Sequence, residues 1–112
     1  MTITNSLTLF QKRTISIIIE IVDNEQPYTL SEGENLHFGV KKRLSSTSYA
    51  IEKTIDVDDY MEPGKYCCKL TTTDTNVNSG YYYYDVSLNR INGDVECVIP
   101  CTECVIIASI TE

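Results

Sequence analysis

Thr14-Ile15-Ser16-Ile17-Ile18-Ile19-Glu20-Ile21-Val22 is the stretch that decides the fold. Ile15, Ile17, Ile19 and Ile21 alternate along it, and Ser16 and Glu20 turn the other way. In an extended chain successive side chains point to opposite faces. Period-two spacing of β-branched residues therefore marks a strand with one buried face. Working outward, Ser6 to Gln11 reads as an earlier strand, set off by the polar break Lys12-Arg13. On the other side, Asp23-Asn24-Glu25-Gln26-Pro27 is a turn by composition.

The same alternation continues. Asn35 to Arg43 places Leu36, Phe38 and Val40 on one face and His37, Gly39 and Lys41 on the other. Tyr49 to Val57 follows the Ser45-Ser46-Thr47-Ser48 loop as a fourth strand. Asp58 to Gly64 turns the chain into Lys65 to Thr71, where Tyr66, Cys68 and Leu70 point inward and Cys67 and Lys69 outward. A polar connection, Thr72 to Gly80, leads into Tyr81 to Arg90. There Val86 and Leu88 fix the inward face, so Tyr82 and Tyr84 are inside and Tyr81 and Tyr83 outside. Asn92-Gly93 suits a type I′ hairpin, because both residues tolerate positive φ. The last strand runs from Asp94 to about Ile110, with a bulge or kink at Pro100, which has no N–H to give a ladder. About seven antiparallel strands, spaced by roughly 8 to 15 residues, predict an all-β sandwich. At 112 residues the chain is read as one domain over 1–112.

Composition narrows the function. The chain carries a formal net charge of −7 and 22% charged residues. Phosphate backbones and anionic membrane surfaces are bound by Lys and Arg, so this balance argues against nucleic acid and against membrane partners. The one basic cluster, Lys41-Lys42-Arg43, reads as the solvated end of a strand. The run Ile17 to Ile19 is broken by Glu20, far short of the roughly 18 to 20 apolar residues of a membrane span. Met1-Thr2-Ile3-Thr4-Asn5-Ser6 has no basic region followed by an apolar stretch, so synthesis in the cytoplasm without a signal peptide is expected, with a virion as a further destination. Eight of the aromatic residues are Tyr, two are Phe and none is Trp. Tyrosine suits half-buried strands and interfaces, since its ring packs while its hydroxyl stays wet.

Phe38-Gly39-Val40-Lys41-Lys42, Ile51-Glu52-Lys53-Thr54, Leu70-Thr71-Thr72-Thr73-Asp74-Thr75 and Gly80-Tyr81-Tyr82-Tyr83-Tyr84-Asp85-Val86 occur in this order, followed by Asn92-Gly93 and Val98-Ile99-Pro100. Over about residues 34–100 they resemble the small immunoglobulin-like proteins of Gram-positive prophages, and the N-terminal domains of phage tail and baseplate proteins. The resemblance implies an immunoglobulin-like sandwich in a tail, baseplate or neck, with other phage particle proteins as partners and a homo-oligomer as one form of assembly. The Gly80-x-Tyr82 pattern also looks like the tyrosine corner of such sandwiches. On that likeness Tyr82 hydrogen-bonds back to the preceding turn, which Asp74-Thr75 opens. Tyr84 stands where antibody domains place a cysteine, so the antibody-type disulfide is absent.

No motif nominates an enzyme, and no cofactor is expected. His37 is the one histidine, on an outward strand face with no partner suggested by spacing, and is read as a surface or interface residue. Five cysteines, an odd number, argue against a secreted disulfide framework and read first as core or edge thiols. Cys97, Cys101 and Cys104 are weak zinc candidates: Cys101-Thr102-Glu103-Cys104 has knuckle spacing but lies in an apparent strand. The acidic residues Asp56, Asp58, Asp59 and Glu62 read as a solvated turn more readily than a calcium loop. Outward Tyr81 and Tyr83 either cover a neighbouring strand or form a binding surface. The sequence thus points to a non-catalytic structural, assembly or binding domain. The alternatives are a carbohydrate-binding module and a cell-surface adhesion domain.

Overall fold

The computed structural model describes residues 6–108. The strands are β1 (Leu7–Phe10), β2 (Ile15–Glu20), β3 (Val22–Asp23), β4 (Gln26–Pro27), β5 (Asn35–Lys41), β6 (Ile51–Ile55), β7 (Tyr60–Glu62), β8 (Lys65–Leu70), β9 (Gly80–Asn89) and β10 (Val95–Ile107). One sheet has the order β1-β10-β9-β5-β6, a second has β2-β8-β7, and β3 and β4 form a two-residue ribbon.

Alternation places the core as expected. Leu36, Phe38 and Val40 from β5 and Tyr82, Tyr84, Val86 and Leu88 from β9 are buried on one layer. Ile19 from β2 and Tyr66, Cys68 and Leu70 from β8 are buried on the other. Each apolar face can leave water only against its opposite number, at about 25 cal/mol per Å² of apolar surface. Tyr66 is fully buried, and its hydroxyl accepts the Leu30 N–H at 2.7 Å, so the phenol brings no unpaired polar atom inside.

Three expectations need correction. The strand count is ten and not about seven, because chain read as turns holds short pairings: β3 with β4, and β7 with β8. Pairing is not antiparallel throughout, since β1 runs parallel to β10 from Leu7↔Cys104 to Phe10↔Ile107. Alternation reports which face a residue takes and is blind to strand direction. Nor does Asn92-Gly93 form a type I′ turn: Gly93 has φ 96°, Asn92 is not in the positive-φ region, Gly93 N–H bonds the Arg90 carbonyl at 3.0 Å and Arg90 N–H the Asp94 carbonyl at 2.8 Å. This is a turn closed by one left-handed glycine, the other common hairpin solution.

Pro100 marks an irregularity as anticipated, with register shifts in β10 between Cys97 and Ile99 and between Ile99 and Thr102. The expected end of that strand near Ile110 lies outside the described residues. The acidic turn is Val57–Asp59, a single 3-10 turn: Asp56 Oδ1 accepts the Asp58 N–H and Asp59 Oδ2 accepts the Asp56 N–H, both at 3.0 Å. Its carboxylates cap the local backbone.

The two layers meet along a seam between β2 and β10. At one end the seam is closed. There β1 covers Cys104 to Ile107, Leu9 is fully buried, and Gln11 N–H bonds the Ile107 carbonyl at 3.0 Å. At the other end it opens into a cleft of about 710 Å³, walled by Leu7, Ile17, Val98 and Ile99 over a floor of Phe38 and Val86.

Candidate functional site

The outer face of the five-stranded sheet collects the residues singled out in the sequence. Because Tyr82 and Tyr84 point inward, Tyr81 and Tyr83 point outward, 81% and 38% exposed. Tyr83 pairs in register with Lys41 and with Glu103, and Tyr81 with Val105. His37 lies on the same face opposite Ser87, four residues further along β9 than Tyr83, or roughly 13 Å. The face is therefore shared, but His37 and the tyrosines do not converge on one pocket.

His37 does have a partner. Its Nε2 is 2.6 Å from Glu52 Oε2 on β6, and its ring meets Tyr49 edge-on at 5.1 Å. Lys41 Nζ stands 4.7 Å from the centre of the same Tyr49 ring. Tyr49 lies across Gly39: a Cβ at that glycine would collide with Tyr49 Cε1 and sit 2.7 Å from Cδ1. The missing side chain is what lets the ring approach the β5 backbone. Alternation gave His37 its face but no partner, since Glu52 and Tyr49 reach it from elsewhere in the chain.

Tyr82 forms the corner foreseen for it. Its hydroxyl donates to the Asn78 carbonyl at 2.6 Å. Lys42 Nζ lies 4.6 Å from its ring centre, and a Cβ on Gly80, whose φ is 143°, would come within 2.8 Å of that Nζ. Asp74 works one turn earlier, accepting the Thr71 N–H at 2.8 Å and pairing with Lys53 at 2.9 Å. Burial opposes its charge, but the Thr71 and Lys53 bonds outweigh that and hold the carboxyl below its ordinary value. Thr75 does more than open a turn. It is fully buried, and its Oγ1 accepts the Arg13 N–H at 3.0 Å and donates to the Arg13 carbonyl at 2.8 Å. That bracket spans 62 residues of chain and has no sequence signal.

The cysteines divide. Cys68 and Cys104 are buried, Cys97 and Cys101 exposed and Cys67 intermediate, and all five are free. Desolvation pushes the Cys68 thiol up to about 12 and that of Cys104 up to about 11, so neither is a ready nucleophile. Cys104 faces the core while Cys97 and Cys101 face solvent, so the three thiols considered for zinc do not share a centre. Among the described residues no three His, Cys, Asp or Glu side chains are grouped to hold a metal ion.

A polar network that the sequence did not reveal closes one end of the cleft. The buried Glu34 accepts from the Tyr28 hydroxyl at 2.6 Å, the Ser31 N–H at 3.0 Å and the Ile91 N–H at 3.4 Å. The Tyr28 bond leads in holding the Glu34 carboxyl below its ordinary value, against the opposing effect of burial. Arg90 donates to Tyr28 at 3.1 Å and grips Glu96 through two bonds of 2.8 and 2.9 Å. Bidentate pairing of this kind fixes orientation as well as charge.

Sheet order and the tyrosine corner together define the class. The chain folds as an immunoglobulin-like sandwich, with β1, β10, β9, β5 and β6 in one layer and β2, β8 and β7 in the other. No protein-family model matches the sequence, and no curated protein matches it. Among solved structures it is similar to a candidate glycoside hydrolase from Bacteroides vulgatus, at 10% identity and TM-score 0.47 over 92% of this chain and 16% of that one. It is also similar to the NK cell receptor Nkp44, at 13% identity and TM-score 0.43 over 96% of this chain and 100% of that one.

Proposed function

We propose that this chain is a non-catalytic assembly domain of a phage or prophage particle, docking through the outer face of its five-stranded sheet. The observation that carries the reading is the outward pair Tyr81 and Tyr83, set on a strand held between β10 and β5. Rigid aromatic area on a braced strand loses little conformational entropy on binding, which is why tyrosines anchor protein interfaces. Lys41, Glu52, Asp85 and Glu103 on or beside this face offer a polar surround. The virion context is supported by the sequence resemblance of residues 34–100.

The test combines genome and biochemistry. Genes for tail, baseplate or neck proteins should flank its own, and one of their products should co-purify with it. Tyr81→Ala with Tyr83→Ala should abolish that co-purification while the thermal melt is unchanged. A locus among metabolic genes, or capture indifferent to both substitutions, would overturn the reading. A second reading, a carbohydrate-binding module, is favoured by the 81% exposure of Tyr81, since sugar rings stack on exposed aromatic rings. Binding on a glycan array that is lost in Tyr81→Ala would select it.

A further inference from the structure

The two strands that border the cleft leave their free edges in different condition. Beyond its β1 contact, β10 carries Pro100 and two register shifts, devices that spoil an edge for pairing. Edge strand β2 has neither. Its ladder with β8 is unbroken from Ile15↔Leu70 to Glu20↔Lys65, and among the described residues β8 is its one partner. It has no proline, and Ile18 stands 57% exposed on its outer side. An unbroken, isoleucine-rich edge of this kind is a template for another strand. Beside it the cleft offers Ile17, Val98 and Ile99, all only partly buried, to every second side chain of whatever pairs there.

Charge gives the occupant its polarity. The lining at the β2 C-terminal end carries Glu20, Asp23, Glu25 and Glu96 against one cation, Arg90, which is already engaged by Glu96 and Asp23. We propose that this edge and cleft receive an extended segment of a partner protein, pairing antiparallel to β2. Its alternate residues are apolar, and its N-terminal flank carries Lys or Arg over Glu20, Asp23 and Glu25. Antiparallel pairing is the more stable arrangement per residue and sets that flank over the acidic end. Inward side chains of the segment fill the cleft, and an outward one lies beside Ile18 as a cross-strand neighbour. This surface is separate from the tyrosine face and does not depend on the proposed function.

The probe is acetyl-Lys-Lys-Thr-Ile-Thr-Val-Thr-Ile-Ser amide, titrated into the full chain and followed through backbone amide resonances and hydrogen exchange. Binding should shift amides of residues 15–20, protect those among them that point away from β8, and shift those of 98–99, leaving 81 and 83 unmoved. A peptide with Glu-Glu in place of Lys-Lys should bind at least about tenfold more weakly, as should the basic peptide to Ile18→Lys, an edge lysine of the kind that blocks pairing. Glu20→Lys should weaken binding less, and in a salt-dependent way. Melts matching the parent would show that these exposed substitutions leave the fold intact. The proposal is overturned by no binding, by equal affinity for the two peptides, or by shifts centred on 81 and 83. Slow exchange, in the free monomer, of those β2 amides that point away from β8 would mean the chain covers its own edge, and a concentration-dependent dimer protecting them would mean a second copy does. Either result also overturns it.

Discussion

At the closed end of the seam β1 hydrogen-bonds β10, Leu9 and Ile106 are buried between the layers, and Thr75 ties the β1–β2 bend to the β8–β9 connection. At the open end the same β10 and β2 flank a cleft, and the rim is held by charge, with Arg90 drawing Glu96, Asp23 and Tyr28 together. One end is thus built from apolar burial and a backbone bracket, which define a single arrangement. The other is built from partly exposed ion pairs, which contribute less stability than apolar burial. Tight packing and open space are divided along one seam.

The largest contrast should be chemical. Cys97 at the open end and Cys104 at the closed end share a strand, yet burial pushes the Cys104 thiol up to about 11 while Cys97 is exposed. At pH 8, alkylation followed by mass spectrometry should find Cys97 modified at least about a hundredfold faster. Comparable rates would mean that the closed end breathes. Next comes packing. Leu9→Ala should cost about 2–5 kcal/mol in urea unfolding, and Ile17→Ala in the cleft wall less than half of that. Equal losses would show the cleft to be as well filled as the core.

Thr75→Val should cost about 1–3 kcal/mol by the same measurement, since it strips both bonds to the Arg13 backbone. The smallest effect lies in the acid limb. The Glu34 and Asp74 carboxyls are both held below their ordinary values of 4.5 and 3.8 in the folded chain, so the unfolded chain takes up more protons there. The stability each contributes is present above those values and is lost as pH falls below them. Glu34→Gln at the open end should flatten the decline that begins near pH 4.5, and Asp74→Asn the part that begins near 3.8. Unfolding midpoints between pH 3 and 6 would separate the two.

Much of this was legible in the sequence wherever neighbours along one strand decide the outcome. The inward set Tyr66, Cys68 and Leu70 and the split of four consecutive tyrosines follow from alternation alone. The Tyr82 hydroxyl bond to the Asn78 carbonyl joins residues four apart, within reach of the likeness of Gly80-x-Tyr82 to a tyrosine corner. What escaped depends on distance through space. The Thr75 bracket on Arg13, the Arg90 network and the Glu52 partner of His37 join segments that no period links. The direction of β1 escaped because inward and outward positions look the same in parallel and antiparallel pairs. The cleft depends on how far apart two layers stand, which no single strand encodes. The shared face of His37, Tyr81 and Tyr83 was readable, but not the 13 Å or so that separates them along it.

Gly39 has one more consequence. With the Tyr49 ring lying where a Cβ would be, even alanine at this position would lift the aromatic off the sheet and disturb the contacts it makes with His37 and Lys41. Residues 39 and 49 are therefore bound to change together as such chains diverge. A descendant that acquires a methyl group at the first should be found to have traded the phenol at the second for something smaller, and with it the texture of that whole patch.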